Sequence, residues 1–165
     1  MNAAVAPRDQ RGFTLVELIV VILIIGILSA IALPRFIDMG KDARIAKAQA
    51  IMGAVRSASQ VVRAAALVRN STGATGSVSV DGLSIATNYG YPQALGPNGI
   101  VDAAGLDSSA SNNDQVTISA GGATAGTAIT IQIAGAATAT TCQVSYTSPS
   151  AANGTPTIAL ATAGC

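Results

Sequence analysis

Residues 13–33, FTLVELIVVILIIGILSAIAL, form an apolar run of 21 residues that contains one charge, Glu17. At 1.5 Å per residue, a helix of that length reaches across the hydrocarbon of a bilayer. A helix also satisfies its own backbone hydrogen bonds in lipid. Whatever else the chain does, this run must be covered by lipid or by other apolar surfaces. A removable secretory signal is the rival reading. Residues 1–12 are short and carry Arg8 and Arg11, and Ala30-Ile31-Ala32 suits cleavage after Ala32. Two features favour retention. A carboxylate inside the run is costly in a membrane, and the helical pattern continues well past Pro34.

Charge counting conflicts over orientation. Arg8 and Arg11 precede the run, but Arg35, Lys41, Arg44 and Lys47 follow it. Taken literally, the positive-inside rule places the following domain in the cytoplasm. The two cysteines and the polar, Ser/Thr-rich C-terminal part favour export.

Gly12-Phe13-Thr14-Leu15-Val16-Glu17 resembles the prepilin processing motif of type IV pilins and of type II secretion pseudopilins. The resemblance covers about the first 50 residues, and the motif is far more specific than a lone glycine-rich pattern. It implies that a membrane peptidase cuts after Gly12 and methylates the new N-terminus at Phe13. It places Thr14 and Glu17 at assembly positions and Pro34 at the helix kink. Relatives unwind the helix between the positions of Gly26 and Pro34 inside filaments. The implied partners are identical or related pilins, the prepilin peptidase, and a pilus assembly platform with its motor. The implied path runs from the inner membrane to a filament on the cell surface, with a surface or host-cell ligand left open.

The chemistry of the motif is coherent. Cleavage removes Arg8, Asp9 and Arg11 and leaves side chains of zero net formal charge. It also creates a positive amine at Phe13, within the apolar zone, where an unpaired charge is costly. Glu17 supplies the opposite charge, either at i,i+4 on its own helix or on a neighbouring subunit. Two unit charges 4 Å apart at an effective dielectric of 20 attract by about 4 kcal/mol. Desolvation offsets part of this, so the pair acts mainly as a register device. The bland alternative is a carboxylate snorkelling to headgroups. Gly26, Ser29 and Ala30 offer small surfaces for close helix approach.

From residue 35 to about 69 the pattern is amphipathic, with Ala48, Ile51, Met52, Val55, Ala58, Val62 and Ala65 at three- and four-residue steps. Arg44, Lys47, Arg56, Arg63 and Arg69 either meet head acids of neighbouring subunits or form a solvated basic face. Asn70, Ser71 and Gly73 end the helix. Residues 78–85 read as a hairpin around Asp81-Gly82. A short helix is expected over 99–106, and strands over 115–120, 127–134, 141–147 and 157–161. The fold class is α+β: a long N-terminal helix, half membrane-spanning and half amphipathic, packed on a C-terminal antiparallel sheet in the pilin manner. Its parts are a removed leader at 1–12, a spanning segment at 13–34, an amphipathic half at 35–69 and a head at 70–165.

Only five residues are aromatic, and much of the apolar content is alanine, so the head core is thin and needs support. Cys142 and Cys165, in an exported chain, read as a disulfide, with two unrelated thiols as the alternative. Closing a loop of about 24 residues contributes about 3 kcal/mol in the chain-entropy picture. Tyr89-Gly90-Tyr91-Pro92, Gly99-Ile100-Val101-Asp102 and the Cys142-to-Cys165 ending are more loosely similar to mannose-sensitive haemagglutinin-type pilins. In type IV pilins such a C-terminal disulfide loop is exposed and often mediates adhesion.

Other functions are disfavoured. All nine basic residues lie between Arg8 and Arg69, and residues 70–165 carry four acids and no Lys or Arg. Such a head does not neutralise phosphates, so no nucleic-acid partner is expected. The chain has no histidine, and with both cysteines paired no nucleophile–base set can be built. No enzyme activity and no cofactor are expected. Residues 107–114, DSSASNND, hold carboxylates and amides but lack EF-hand spacing, so no metal site is assigned there. The reading is a structural pilus subunit. Its alternatives are a pseudopilin, a DNA-uptake minor pilin and an ordinary secreted binding domain.

Overall fold

The computed structural model describes residues 12–107 and 115–165, and for residues 33–38 and 120 the backbone alone. The chain divides into two compact units, the first ending at Met39 and the second Gly40–Cys165.

Helix α1, Leu15–Val68, contains both halves expected from the sequence. Its backbone is helical through Gly26 and Pro34. Its start is capped by Thr14, whose Oγ1 accepts the Glu17 backbone N–H at 3.2 Å. Its end is a Schellman turn. Asn70 takes a left-handed conformation (φ 53°). The Ser71 N–H reaches the Ala66 carbonyl at 2.8 Å, and the Asn70 N–H reaches that of Leu67 at 3.1 Å.

Within Gly40–Cys165, strands β1 (Gly76–Val80) and β2 (Leu83–Asn88) form the expected hairpin. Asp81 and Gly82 both have positive φ, 49° and 82°, which matches the right-handed twist of the flanking strands. The two-residue β3 (Tyr91–Pro92) pairs with β2, and α2 (Ile100–Ala103) follows. Then β4 (Val116–Ala120), β5 (Ala128–Ile133), β6 (Gln143–Thr147) and β7 (Thr157–Ala161) make an antiparallel meander. A 3₁₀ turn over Ala139–Thr141 delays the start of β6. Residues 108–114, most of the carboxylate- and amide-bearing run 107–114, lie outside the described residues.

The head strands form two sheets, of three and four strands, rather than one. Pro92 ends the first sheet because it has no N–H to carry the ladder on. A single bridge, Ala94 to Gly122, joins the edges. Polar side chains fill the junction. The Asn88 amide donates to the Ala123 carbonyl at 3.0 Å, and Gln93 donates to Asn88 Oδ1 at 3.2 Å. The Tyr146 hydroxyl donates to the Pro92 carbonyl at 2.7 Å.

α1 covers both sheets through one stripe. Ala48, Ile51, Val55 and Ala58 pack with Ile129, Ile131, Ile133, Val144 and Tyr146. Val62 and Ala66 pack with Val78 and Ile85. Ala66, one residue beyond the expected Ala65, is the last fully buried position, and Met52 is half-buried.

Burial, and secondarily Tyr91, pushes the Tyr146 hydroxyl above the ordinary tyrosine range. Its contribution to stability is therefore complete below the usual tyrosine pKa of about 10 and is lost as pH rises past it. Tyr146→Phe leaves the Pro92 carbonyl without its donor and is expected to destabilise the head by about 2 kcal/mol. Urea unfolding of the detergent-solubilised chain measures this. An unchanged midpoint would show that the hydroxyl does not tie the sheets together.

Candidate functional site

The site is the N-terminal stretch of α1, and its defining property is exposure. Leu15–Ala32 is long and apolar enough to cross a membrane, and none of it is buried within the chain. Phe13, just before it, is 89 % exposed. Full burial of one Leu, Ile or Val side chain is worth roughly 1.5–3 kcal/mol. A helix bare on all sides is therefore stable only inside lipid or among other helices.

Gly12, Phe13, Thr14 and Glu17 lie together around the start of this helix. A Cβ built on Gly12 meets nothing within 4 Å, and the same holds at Gly26. Packing among the described residues thus does not require glycine at either position. Thr14 has a role the sequence reading did not give it, since it caps the helix. Glu17 falls in the first turn, where the helix dipole favours an anion. Its carboxylate is exposed and has no partner among the described residues.

The family model described as the prokaryotic N-terminal methylation motif matches residues 7–33. This chain carries the prokaryotic N-terminal methylation motif. The likeness extends to named pilins over the N-terminus. The chain is 58% identical over 48 residues to the type IV narrow pilus major component PilA5 of Thermus thermophilus, covering 29% of this chain and 41% of that protein. It is 40% identical over 53 residues to a fimbrial protein of Pseudomonas aeruginosa, covering 32% and 34%. It is 51% identical over 39 residues to the type IV major pilin protein PilE1 of Neisseria gonorrhoeae, covering 24% of each. The matched stretch therefore spans well under half the length of these relatives. No solved structure matches the chain significantly.

The methylation motif leaves the head unaccounted for, and the head's own contacts are informative. Cys142 and Cys165 are joined, with Cα atoms 4.8 Å apart. Both are buried in the larger core cluster, while residues 150–153 of the connecting turn are exposed. The disulfide belongs to the core, while the turn and alternate residues of the segment that follows it face solvent.

Four of the five basic residues from Arg44 to Arg69 are also placed differently from either sequence expectation, Arg56 being the exposed exception. The Arg44 Nε donates to the main-chain oxygen of Cys165, and Lys47 donates to that of Gln115 at 3.4 Å. Arg63 donates to the Tyr89 carbonyl at 2.7 Å and stacks 4.9 Å from the Tyr91 ring centroid. Arg69 donates to the Ser79 carbonyl. These cations clamp α1 to backbone oxygens of its own head. Sequence reasoning missed this because a carbonyl acceptor leaves no mark on the pattern of acidic residues.

Proposed function

We propose that this chain is the precursor of a structural, non-enzymatic subunit of a type IV pilus. On this reading the leader, residues 1–12, is cut off after Gly12 by a prepilin peptidase, and Phe13 is methylated. Residues 13–34 hold the subunit in the inner membrane and later line the filament core, while residues 35–69 carry the head, 70–165, outward. The homopolymer, or a mixture with related pilins, is built by an assembly platform and motor and serves attachment or motility at the cell surface.

One observation carries this reading: a bare apolar helical stretch, Leu15–Ala32, whose only charge, Glu17, sits four residues beyond Phe13. In lipid there is little hydrophobic drive between helices, so the subunit waits there as a monomer. On extraction, lipid contacts are exchanged for contacts with neighbouring helices, and the Glu17 carboxylate meets the Phe13 amine in a medium of low dielectric.

Intact-mass and peptide mass spectrometry of protein from sheared cell surfaces tests the reading. The expected species begins at a methylated Phe13. A chain beginning at Leu33 would instead establish a released secretory domain. Electron microscopy of the same preparation is expected to show long filaments. Short stubs confined to the envelope would transfer the reading to a secretion pseudopilus.

A further inference from the structure

Of the five basic side chains from Arg44 to Arg69, four donate to main-chain oxygens of the head. Arg56 is exposed and, among the described residues, has no side-chain partner. It borders a cleft of about 390 Å³ together with Ser59, Gln60, Tyr91, Thr155 and Thr157. That lining contains hydroxyls, an amide and a phenol, but no carboxylate. The cleft thus presents a guanidinium with no internal counter-charge.

The head also holds an acid in the converse condition. Asp102 accepts the Asn98 backbone N–H at 2.7 Å, and Asp107 is engaged. Asp81 alone of the described head carboxylates has no partner, and it stands at the exposed tip of the β1–β2 hairpin. It borders a second groove, with Ala54, Ser57, Val61 and Val80. At 3.6 residues per turn, the centre of Ala54, Ser57 and Val61 lies roughly 110° around α1 from that of Arg56 and Gln60, although Ser57 and Gln60 themselves are neighbours about 60° apart. The unpaired acid and the unpaired cation are therefore on different flanks of α1, and Asp81 of one copy is free to meet Arg56 of another.

We propose that the β1–β2 hairpin of one subunit docks through Asp81 into the Arg56 cleft of the next copy of this chain. The proposal rests on the filament reading above and names a contact within it. Unlike surfaces meeting head to tail make a heterologous interface, which repeats without closing and so builds a helix of subunits. The occupant is a second copy because the complementary charge is in the chain itself, at a rigid turn whose two central residues have positive φ. A guanidinium and a carboxylate also match in geometry, which gives such a contact register as well as attraction.

Charge exchange in the full chain, expressed in cells with pilus machinery, provides the test. Arg56→Asp and Asp81→Arg are each expected to lower the sheared filament yield at least about tenfold. The amount of subunit in the membrane, read by immunoblot, is expected to stay the same. The double exchange, Arg56→Asp with Asp81→Arg, is expected to restore at least half of the parental yield. If a single variant lowers the membrane pool, a cysteine pair decides instead. Arg56→Cys with Asp81→Cys is expected to give a ladder of cross-linked subunits in oxidised filaments, and neither single cysteine variant should give one. Full yield from both reversals, a double exchange no better than the singles, or filaments without the ladder each overturns the contact. Normal assembly by Arg56→Asp, with loss of binding to carboxylated beads, would put a foreign anion in the cleft and also overturn it. If the unsubstituted chain makes no filaments, the functional reading falls and the contact falls with it. Parental filaments that ignore both reversals sink the contact alone.

Discussion

Glu17→Ala is expected to remove surface filaments at least about a hundredfold while the subunit still accumulates in the membrane. The two effects separate for physical reasons. Insertion is easier without the carboxylate, which carries a cost of a few kcal/mol in lipid. The helix start is preserved, because Thr14 Oγ1 accepts the backbone N–H of residue 17, and alanine keeps that N–H. On the filament reading proposed above, what disappears is the counter-charge for the Phe13 amine, a gross attraction of about 4 kcal/mol at an effective dielectric of 20. Even after a desolvation offset, each incoming subunit then brings an uncompensated ammonium into an apolar core. Glu17→Gln is expected to behave in the same way, which assigns the effect to charge and not to volume. Immunoblots of sheared and membrane fractions, with electron microscopy of whole cells, measure both quantities. Filaments at parental abundance from either variant would refute the charge-pair mechanism.

Local signals in the sequence were legible where one residue type settles the backbone. Asp81-Gly82 specified the hairpin, because both central residues of its turn need positive φ. Asn70 similarly marked the end of α1. The strand over Thr157–Ala161 agreed at both ends. The three- and four-residue steps along α1 located the buried stripe to within one position. The methylation motif was equally legible, and the family model that matches residues 7–33 agrees with it.

What escaped was long-range. Nothing local says that Tyr146 reaches the Pro92 carbonyl, 54 residues away in sequence, or that Asn88 and Gln93 fill a junction between two sheets. A buried Asn or Gln looks like a loop residue until its partners are known. The basic residues show the same limit. Arg44 and Lys47 follow the apolar run and, taken as topology signals, contradict export. In the structure both are tied to oxygens of the head. The conflict eases once those cations are understood as clamps within a folded domain, since the positive-inside rule concerns short loops near the membrane.

The second large effect concerns the C-terminus. Cys142→Ala with Cys165→Ala is expected to cost the head about 3 kcal/mol, from the entropy of a loop closed across a separation of 23 residues. For a domain of this size that corresponds to a fall in Tm of roughly 10 °C. Alanine is the informative replacement, because both positions are buried and a serine hydroxyl would add its own desolvation penalty. The loss should extend beyond chain entropy. Arg44 holds the main-chain oxygen of Cys165, and the Gly164 carbonyl accepts the Thr138 N–H at 3.1 Å. An unpinned terminus weakens both bonds and opens the core cluster to which both cysteines belong. Thermal unfolding of parent and variant, with limited proteolysis of residues 157–165, reads the global and the local effect. The parent is expected to resist a mild reductant at ambient temperature, because both cysteines are shielded until the head opens. If the variant melts within about 2 °C of the parent, the thin alanine-rich core is self-sufficient. The disulfide would then need an explanation outside the fold, at the exposed turn it carries.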